Sequence, residues 1–300
     1  VESLSIRELL RKVQAIELGT EMVSESRSRV EAPPVRTGWP GVDELFQPLG
    51  EGVARREGPQ GGGLPRGAVH EWFGLEGEGR RWRPPVAVFV HLAWRALGAP
   101  PGEGSVLWIG RGVWPYPHVL VRESGLVRES GLVREGGSDR RLLERSIFVD
   151  PPDDASRLWA IDLALRCPGV TAVVADGSRL GMAESRRLQL AARAGASLAL
   201  LARPPSEHRC LSAASTRWEI LAEPAFGIHP RWSVRLVRWK EAPSRVETGD
   251  RATWSLEWEG AKSAVVVSPE LVGRPRKKEA ASTRVAGDGV ANDVVARQSA

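Results

Sequence analysis

The sequence predicts an α/β fold with a mostly parallel central sheet, helices on both faces and antiparallel C-terminal strands. Three observations predict it. Between Ala68 and Leu201, short apolar runs alternate with helix-period segments at the spacing of βαβ units. The first of these runs is followed at once by a glycine loop, Gly74 to Arg81. After Pro205 the pattern changes to apolar runs joined by turn-rich segments. In one of them Trp254, Leu256 and Trp258 alternate with Ser255, Glu257 and Glu259, as in a half-buried antiparallel strand.

Leu4 to Ile16 reads as an amphipathic helix. Ser5 and Glu8 form a capping-box pattern, Leu4 and Leu9 a hydrophobic staple, and Ile6, Leu9, Leu10, Val13 and Ile16 one apolar stripe. The polar linker Ser24 to Pro34 separates it from the core. The helix therefore either packs on its own domain or docks on a partner. Ala68 to Phe73 is the first strand, and Pro84 and Pro85 suit the first turn of a helix, Val86 to Leu97, apolar nearly all round and so buried. Strands come next at Ser105–Gly110, Ser146–Asp150, Val170–Asp176 and Ser197–Leu201, with helices at Ala155–Arg166 and Ala183–Ala194. Arg217–Ala222, Ser233–Trp239 and Thr253–Trp258 are the later strands. The expected organisation is residues 1–36 as helix and linker, 37–262 as core, and 263–300 as a disordered tail carrying the basic run Arg274 to Lys278. Val121 to Gly137 repeats VRESGL, VRESGL, VREGG, too short for a solenoid and read as a duplicated loop or helix segment.

Composition excludes several classes. Hydrophobic content of 42% and charged content of 26% describe a soluble globular chain. No window offers the roughly eighteen apolar residues of a membrane span, and the N-terminus lacks a signal-peptide pattern. Cys167 and Cys210 are too few for a disulfide framework. The expectation is a cytoplasmic protein with reduced thiols. The net charge of +5 is modest and spread out, and base composition accounts equally well for the excess of Arg.

The glycine loop spells G-x-x-x-x-G-R-R. A working phosphate loop ends in Lys and Ser/Thr: backbone N–H groups cradle phosphate, Lys reaches the β/γ-phosphates, and the hydroxyl holds Mg²⁺. Here the glycine frame of Gly74 and Gly79, with Gly77 between them, is intact, but Arg80 and Arg81 occupy the two chemical positions. Arg is a bulky fork rather than a compact charge, and no hydroxyl remains for a metal. The loop reads as a vestigial phosphate site running into a helix.

Taken together, Thr37-Gly38…Val42-Asp43…Leu45, Gly62 to Gly67, Glu71 to Gly74, VADGSRL (Val174 to Leu180) and RRLQLAARAGASLALLARP (Arg186 to Pro204) resemble the RecA-type P-loop core. They resemble more closely the ImuA family, RecA-like accessory proteins of bacterial mutagenic repair cassettes. The similarity covers about Thr37 to Lys240 in unbroken order. It implies a part in DNA-damage-induced (SOS) translesion synthesis beside an ImuB-like Y-family polymerase homologue, an error-prone replicative-type polymerase and RecA. By the same resemblance Asp176 stands at the metal-supporting (Walker B) position, while the second-strand end, Gly110 to Trp114, lacks the carboxylate that activates water. Three parts of phosphoryl-transfer chemistry are thus missing together, and the expectation is no hydrolysis and no catalytic residue. Weak binding of ATP or another anion is left open, because glycine N–H groups and a helix N-terminus remain. The connections Gly177–Met182 and Pro204–Ser215 are short for the two DNA-gripping loops of RecA, so DNA contact is expected to be indirect or weak.

Other constellations are bland. The five His residues show no metal-ligand spacing, and His91 reads as a satisfied core residue. Trp94, Trp108, Trp254 and Trp258 fall at core positions, whereas Trp72 and Trp82 flank the glycine loop and are placed to fill a vacated nucleotide pocket. Three functions stay open at this level: a non-catalytic docking protein, a nucleotide-binding ATPase using Arg80 in place of Lys, and a SulA-type inhibitor of cell division.

Overall fold

The computed structural model describes residues 33–47, 62–77, 82–98, 104–123, 127–129, 132–134, 138–224, 229–242, 252–259 and 264–267. The expected docking stripe (Ile6, Leu9, Leu10, Val13, Ile16), Gly79, Arg80, Arg81 and the basic tail lie outside them.

Nine strands form one sheet. In chain order they are β1 (Ala68–Phe73), β4 (Ser105–Ile109), β9 (Ser146–Val149), β10 (Val170–Asp176), β11 (Leu198–Arg203), β12 (Thr216–Glu223), β13 (Arg231–Trp239), β14 (Thr253–Glu259) and β15 (Ala264–Val267). Their spatial order is β15-β14-β13-β12-β1-β11-β10-β4-β9. Every pair from β9 to β12 is parallel, and β12 to β15 are antiparallel. The expected α/β class is the one observed. β1 and β11 are buried at every position because both faces are covered. Helix α2 (Val86–Leu97) covers one face, packing Phe89 and Leu92 with Trp72, Trp108 and Trp218. The short helix α3 (Arg141–Glu144) leads into β9. Helices α4 (Asp154–Arg166) and α5 (Met182–Gly195) cover the other face, where Ile161 and Leu188 meet Val69, Val173 and Leu201. α4 starts where Asp153 accepts a hydrogen bond from Ser156 N at 2.7 Å. α5 ends on Ala196, in the left-handed conformation at φ 53°.

The segments of the resemblance that precede β1 are tied in by polar contacts. Asp43, in the short helix α1 (Pro40–Leu45), accepts from Thr37 N at 2.7 Å, Thr37 Oγ1 at 2.8 Å and Gly38 N at 3.0 Å. His91 donates to Thr37 O at 2.6 Å and stacks on Trp39, a core histidine as expected. Burial holds its pKa down at about 4. Arg66 bridges Thr171 O of β10 and Ala96 O of α2 at 3.0 and 2.6 Å.

Two features extend past the expected core of 37–262. Val35 pairs with Leu64 through an isolated bridge, and β15 adds to the sheet beyond residue 262. Of the hexapeptide repeat, expected as loop or helix, the described residues include three short strands and no helix. β6 (Val127–Glu129) pairs antiparallel with β7 (Leu132–Arg134), and β5 (Arg122–Glu123) pairs antiparallel with β8 (Ser138–Asp139).

Candidate functional site

In parallel α/β sheets ligands bind beyond the carboxyl ends of the strands. There β1 delivers Gly74, β4 delivers Gly110, β10 delivers Asp176 and β11 delivers Arg203. Gly74 N donates to Arg203 O at 2.9 Å, extending the strand pairing by one residue.

The expected direct run from glycine loop into helix is not what forms. After Gly74 the chain folds into a hairpin of β2 (Leu75–Glu76) and β3 (Trp82–Arg83), paired Leu75 to Arg83 and Glu76 to Trp82. Only after Pro84 and Pro85 does α2 begin. The hairpin forms because Leu75 and Trp82 both pack against the core, which pulls the two arms together. A Cβ on Gly74 would lie 2.4 Å from Arg83 O and 2.7 Å from the Trp82 ring, so the returning arm sits directly on the first glycine. Gly77 comes directly after β2. The helix N-terminus starts on two residues without N–H groups, and Val86 N and Phe89 N are bonded to Pro84 O and Pro85 O. Trp72, expected to flank a pocket, is a core residue stacked on Trp218 at 5.0 Å.

Asp176 is held by its own chain. Its Oδ1 accepts from Ser178 N at 2.9 Å, an Asx turn, and its Oδ2 faces Arg157 Nη1 at 3.3 Å. Arg157, from the buried stripe of α4, also donates to Ser178 O at 2.8 Å and pairs with Asp154 at 3.1 Å. Gly110, at φ +91°, brings β4 against the same group; a Cβ there would stand 3.1 Å from Asp176 Cβ. A guanidinium thus occupies the ground where the resemblance puts metal support, and no cluster of metal-ligating residues occurs among the described residues. At the second-strand end Arg111 pairs with Asp150, the residue after β9, at 2.5 Å.

Beside these lies a buried charge network that sequence reasoning missed. Glu71 is fully buried. Its Oε1 accepts from Arg203 Nη1 at 2.8 Å and Ser212 Oγ at 2.6 Å, and its Oε2 from Arg217 Nε at 2.9 Å. Arg203 also reaches Glu207 Oε2 at 2.5 Å and Leu180 O at 2.8 Å. Burial opposes the Arg203 charge, but Glu71 and Glu207 more than offset it and raise its pKa. The Arg217 guanidinium lies over the Phe73 ring at 4.7 Å, and His208 packs against that ring at 5.0 Å. The whole 204–215 connection is therefore pinned to β1. The detectable signal was Glu71, beside His70, in the middle of a strand whose other residues are apolar: a carboxylate there needs buried cations. For Arg157 the signal was its position four residues before Ile161, on the apolar stripe of α4.

Comparison with known proteins now bears on this geometry. No family model matches the chain. Two curated relatives, each named Protein ImuA and from Caulobacter vibrioides strains NA1000 / CB15N and ATCC 19089 / CIP 103742 / CB 15, are 30% identical to it over 230 residues. The match covers 71% of this chain and 82% of each relative. The chain belongs to the ImuA family. Among solved structures, a KaiC-like protein, PH0186, from Pyrococcus horikoshii OT3 aligns at a TM-score of 0.47 and 15% identity, covering 79% of this chain and 99% of that one. For this ImuA-family chain, no helix among the described residues is long and apolar enough to cross a membrane.

Proposed function

We propose that this ImuA-family protein is a non-catalytic accessory factor of DNA-damage-induced translesion synthesis. It acts by docking on RecA, on the cassette polymerases, an ImuB-like Y-family homologue among them, or on both. The observation that carries the reading is Asp176. Its carboxylate is engaged by Arg157 and by its own Asx turn, so the charge a metal–nucleotide complex would supply is already provided by the chain. The hairpin folded back on Gly74 and the Pro84–Pro85 start of α2 support the same conclusion. For docking, α4 offers Trp159 at 61% and Leu163 at 47% exposure, one turn apart, and β9 pairs on one side only among the described residues. The N-terminal stripe Ile6, Leu9, Leu10, Val13 and Ile16 is the proposed docking arm.

Calorimetry of ATP–Mg²⁺ and ADP binding, wild type against Gly79→Trp, tests the nucleotide half. The expected result is no heat in either protein; micromolar affinity abolished by the substitution would restore the ATPase reading. Deletion of residues 1–30 tests the docking half, and unchanged binding to RecA and to the polymerase homologue would remove the arm from it.

A further inference from the structure

The face that α4 and α5 turn away from the sheet leaves large apolar side chains in water. On α4, Ala155, Trp159 and Leu163 recur at every fourth residue and form one exposed row. On α5, Arg186, Leu190 and Arg193 form a second row, in which Leu190 is 56% exposed. Asp162 joins the two helices: it accepts from Arg166 Nε on its own helix and from Arg187 Nη2 on α5, both at 3.1 Å. Leu163 follows Asp162 in sequence and Leu190 lies one turn beyond Arg187, so Trp159, Leu163 and Leu190 share one surface. Ile161, Leu165, Leu188 and Ala192 are the residues of the same helices that face the sheet.

The charge bordering this apolar surface is of one sign. Glu184, the only acidic residue of α5, is turned to its own helix start, where it accepts from Gly181 N at 3.0 Å. Arg166 and Arg187 share the single carboxylate of Asp162. Arg186 and Arg193 are exposed, and neither makes an ion pair or a side-chain hydrogen bond among the described residues. Exposed apolar side chains bordered by unpaired cations are matched by apolar side chains bordered by carboxylates. The chain's own segment Leu4 to Ile16 does not supply them, since it carries Arg7, Arg11 and Lys12 against Glu8 alone. A second copy of this face would bring the same unpaired cations. Nucleic acid is a poorer match as well, because Leu163 and Leu190 offer bases no ring to stack on and Asp162 stands in the middle of the face.

We propose that the outer face of α4 and α5 binds an acidic amphipathic helix of a protein partner. The apolar stripe of that helix lies on Trp159, Leu163 and Leu190, and its flanking carboxylates meet Arg186 and Arg193. Trp159 is the central anchor, the residue type that most often dominates an interface. The two arginines steer the encounter and fix which way the helix lies, an effect that salt screens. The inference rests on the docking reading and adds to it which surface docks and what chemistry it selects.

The test is biolayer interferometry of the full chain against RecA and against the ImuB-like homologue across a salt series. Trp159→Ala/Leu190→Ala is expected to bind one of these two proteins about 30-fold more weakly or worse. Arg186→Glu/Arg193→Glu is expected to weaken binding to the same protein about 10-fold at low salt, by an amount that shrinks as salt rises. All four residues are exposed, so urea midpoints should stay at the wild-type value. If wild type binds and both variants bind equally well, this surface is wrong while the docking reading stands. If wild type binds neither protein, the docking reading fails and this surface with it. Weakening in only one of the two variants, or a charge-variant loss that persists unchanged at high salt, would overturn the acidic amphipathic occupant. So would a labelled single-stranded oligonucleotide that wild type binds and Arg186→Glu/Arg193→Glu releases, with protein binding unchanged.

Discussion

Replacing Glu71 with Gln should cost about 3–4 kcal/mol of folding stability. The substitution keeps shape but removes the charge between Arg203 and Arg217, whose side chains are 0% and 8% exposed. Three hydrogen bonds to Glu71 oxygens are at stake, two of them from guanidiniums. A Gln oxygen can keep part of this set, but its NH₂ then faces a donor. One charge-assisted bond is worth about 1.5–3 kcal/mol. Stranding a buried charge by removing its partner costs about 3–5 kcal/mol, and retained Glu207 on Arg203 keeps the sum at the lower end. Urea unfolding at neutral pH reads the change as a lower midpoint at unchanged m. Hydrogen exchange supplies a second readout, because loss of the Ser212 and Arg217 anchors should deprotect residues 204–215. A cost below about 1 kcal/mol would mean the cluster is hydrated and the burial argument fails. A full cost with loop protection unchanged would mean the network stabilises the strand but does not anchor the loop.

Other variants test the same geometry. His70 links Thr216 Oγ1 to Pro65 O at 2.7 and 3.0 Å, and burial lowers its pKa from 6.5 to about 4. The folded pKa is depressed, so the unfolded chain binds more protons between these values and stability falls as pH drops from 6.5 to 4. The loss is about 3 kcal/mol at about 1.36 kcal/mol per unit, and urea midpoints should lose that part of their pH dependence in His70→Gln. Arg157→Met should cost about 1–3 kcal/mol by freeing Asp176 from its partner. Asp176→Asn combined with it should cost little more than either alone, which a double-mutant cycle measures. Gly74→Ala should destabilise by about 1–3 kcal/mol, since its Cβ would meet Arg83 O at 2.4 Å; a shift of Trp fluorescence would report displacement of Trp82.

The central fold was legible because β10 and β11 are nearly continuous apolar runs and α5 carries helix periodicity, patterns set by local sequence. Misreadings fell where tertiary contact overrides local signal. The vestigial phosphate loop was expected to run directly into a helix, but Leu75 and Trp82 pack on the core and bring β2 against β3 before the helix begins. The repeat was read as a loop or helix segment because VRE carries no strong local preference, and the pairing of Val127–Glu129 with Leu132–Arg134 depends on a neighbouring strand. The second-strand end showed no acidic residue in sequence, yet Asp150 arrives beside Arg111 from the neighbouring strand, a contact no local window contains. Glu71 and Arg157 were visible as charges on apolar stripes. Their partners lie up to 146 positions away, which pattern reasoning does not reach.

A nucleotide-driven switch needs loops whose contacts change when a phosphate leaves. Here the Asp176 strand end and the 204–215 connection are tied by the chain's own cations: Asp176 by Arg157, and Glu71 and Glu207 by Arg203. A ligand shifts an equilibrium only by its differential affinity for two states, and internal ion pairs of this kind oppose a second arrangement of the same loops. On the proposed reading, the surface presented to RecA or a polymerase is therefore fixed in shape. Its affinity for either partner should be the same with ATP–Mg²⁺, with ADP or with neither, and a nucleotide-dependent change in that affinity would contradict both the neutralised Asp176 and the pinned loop at once.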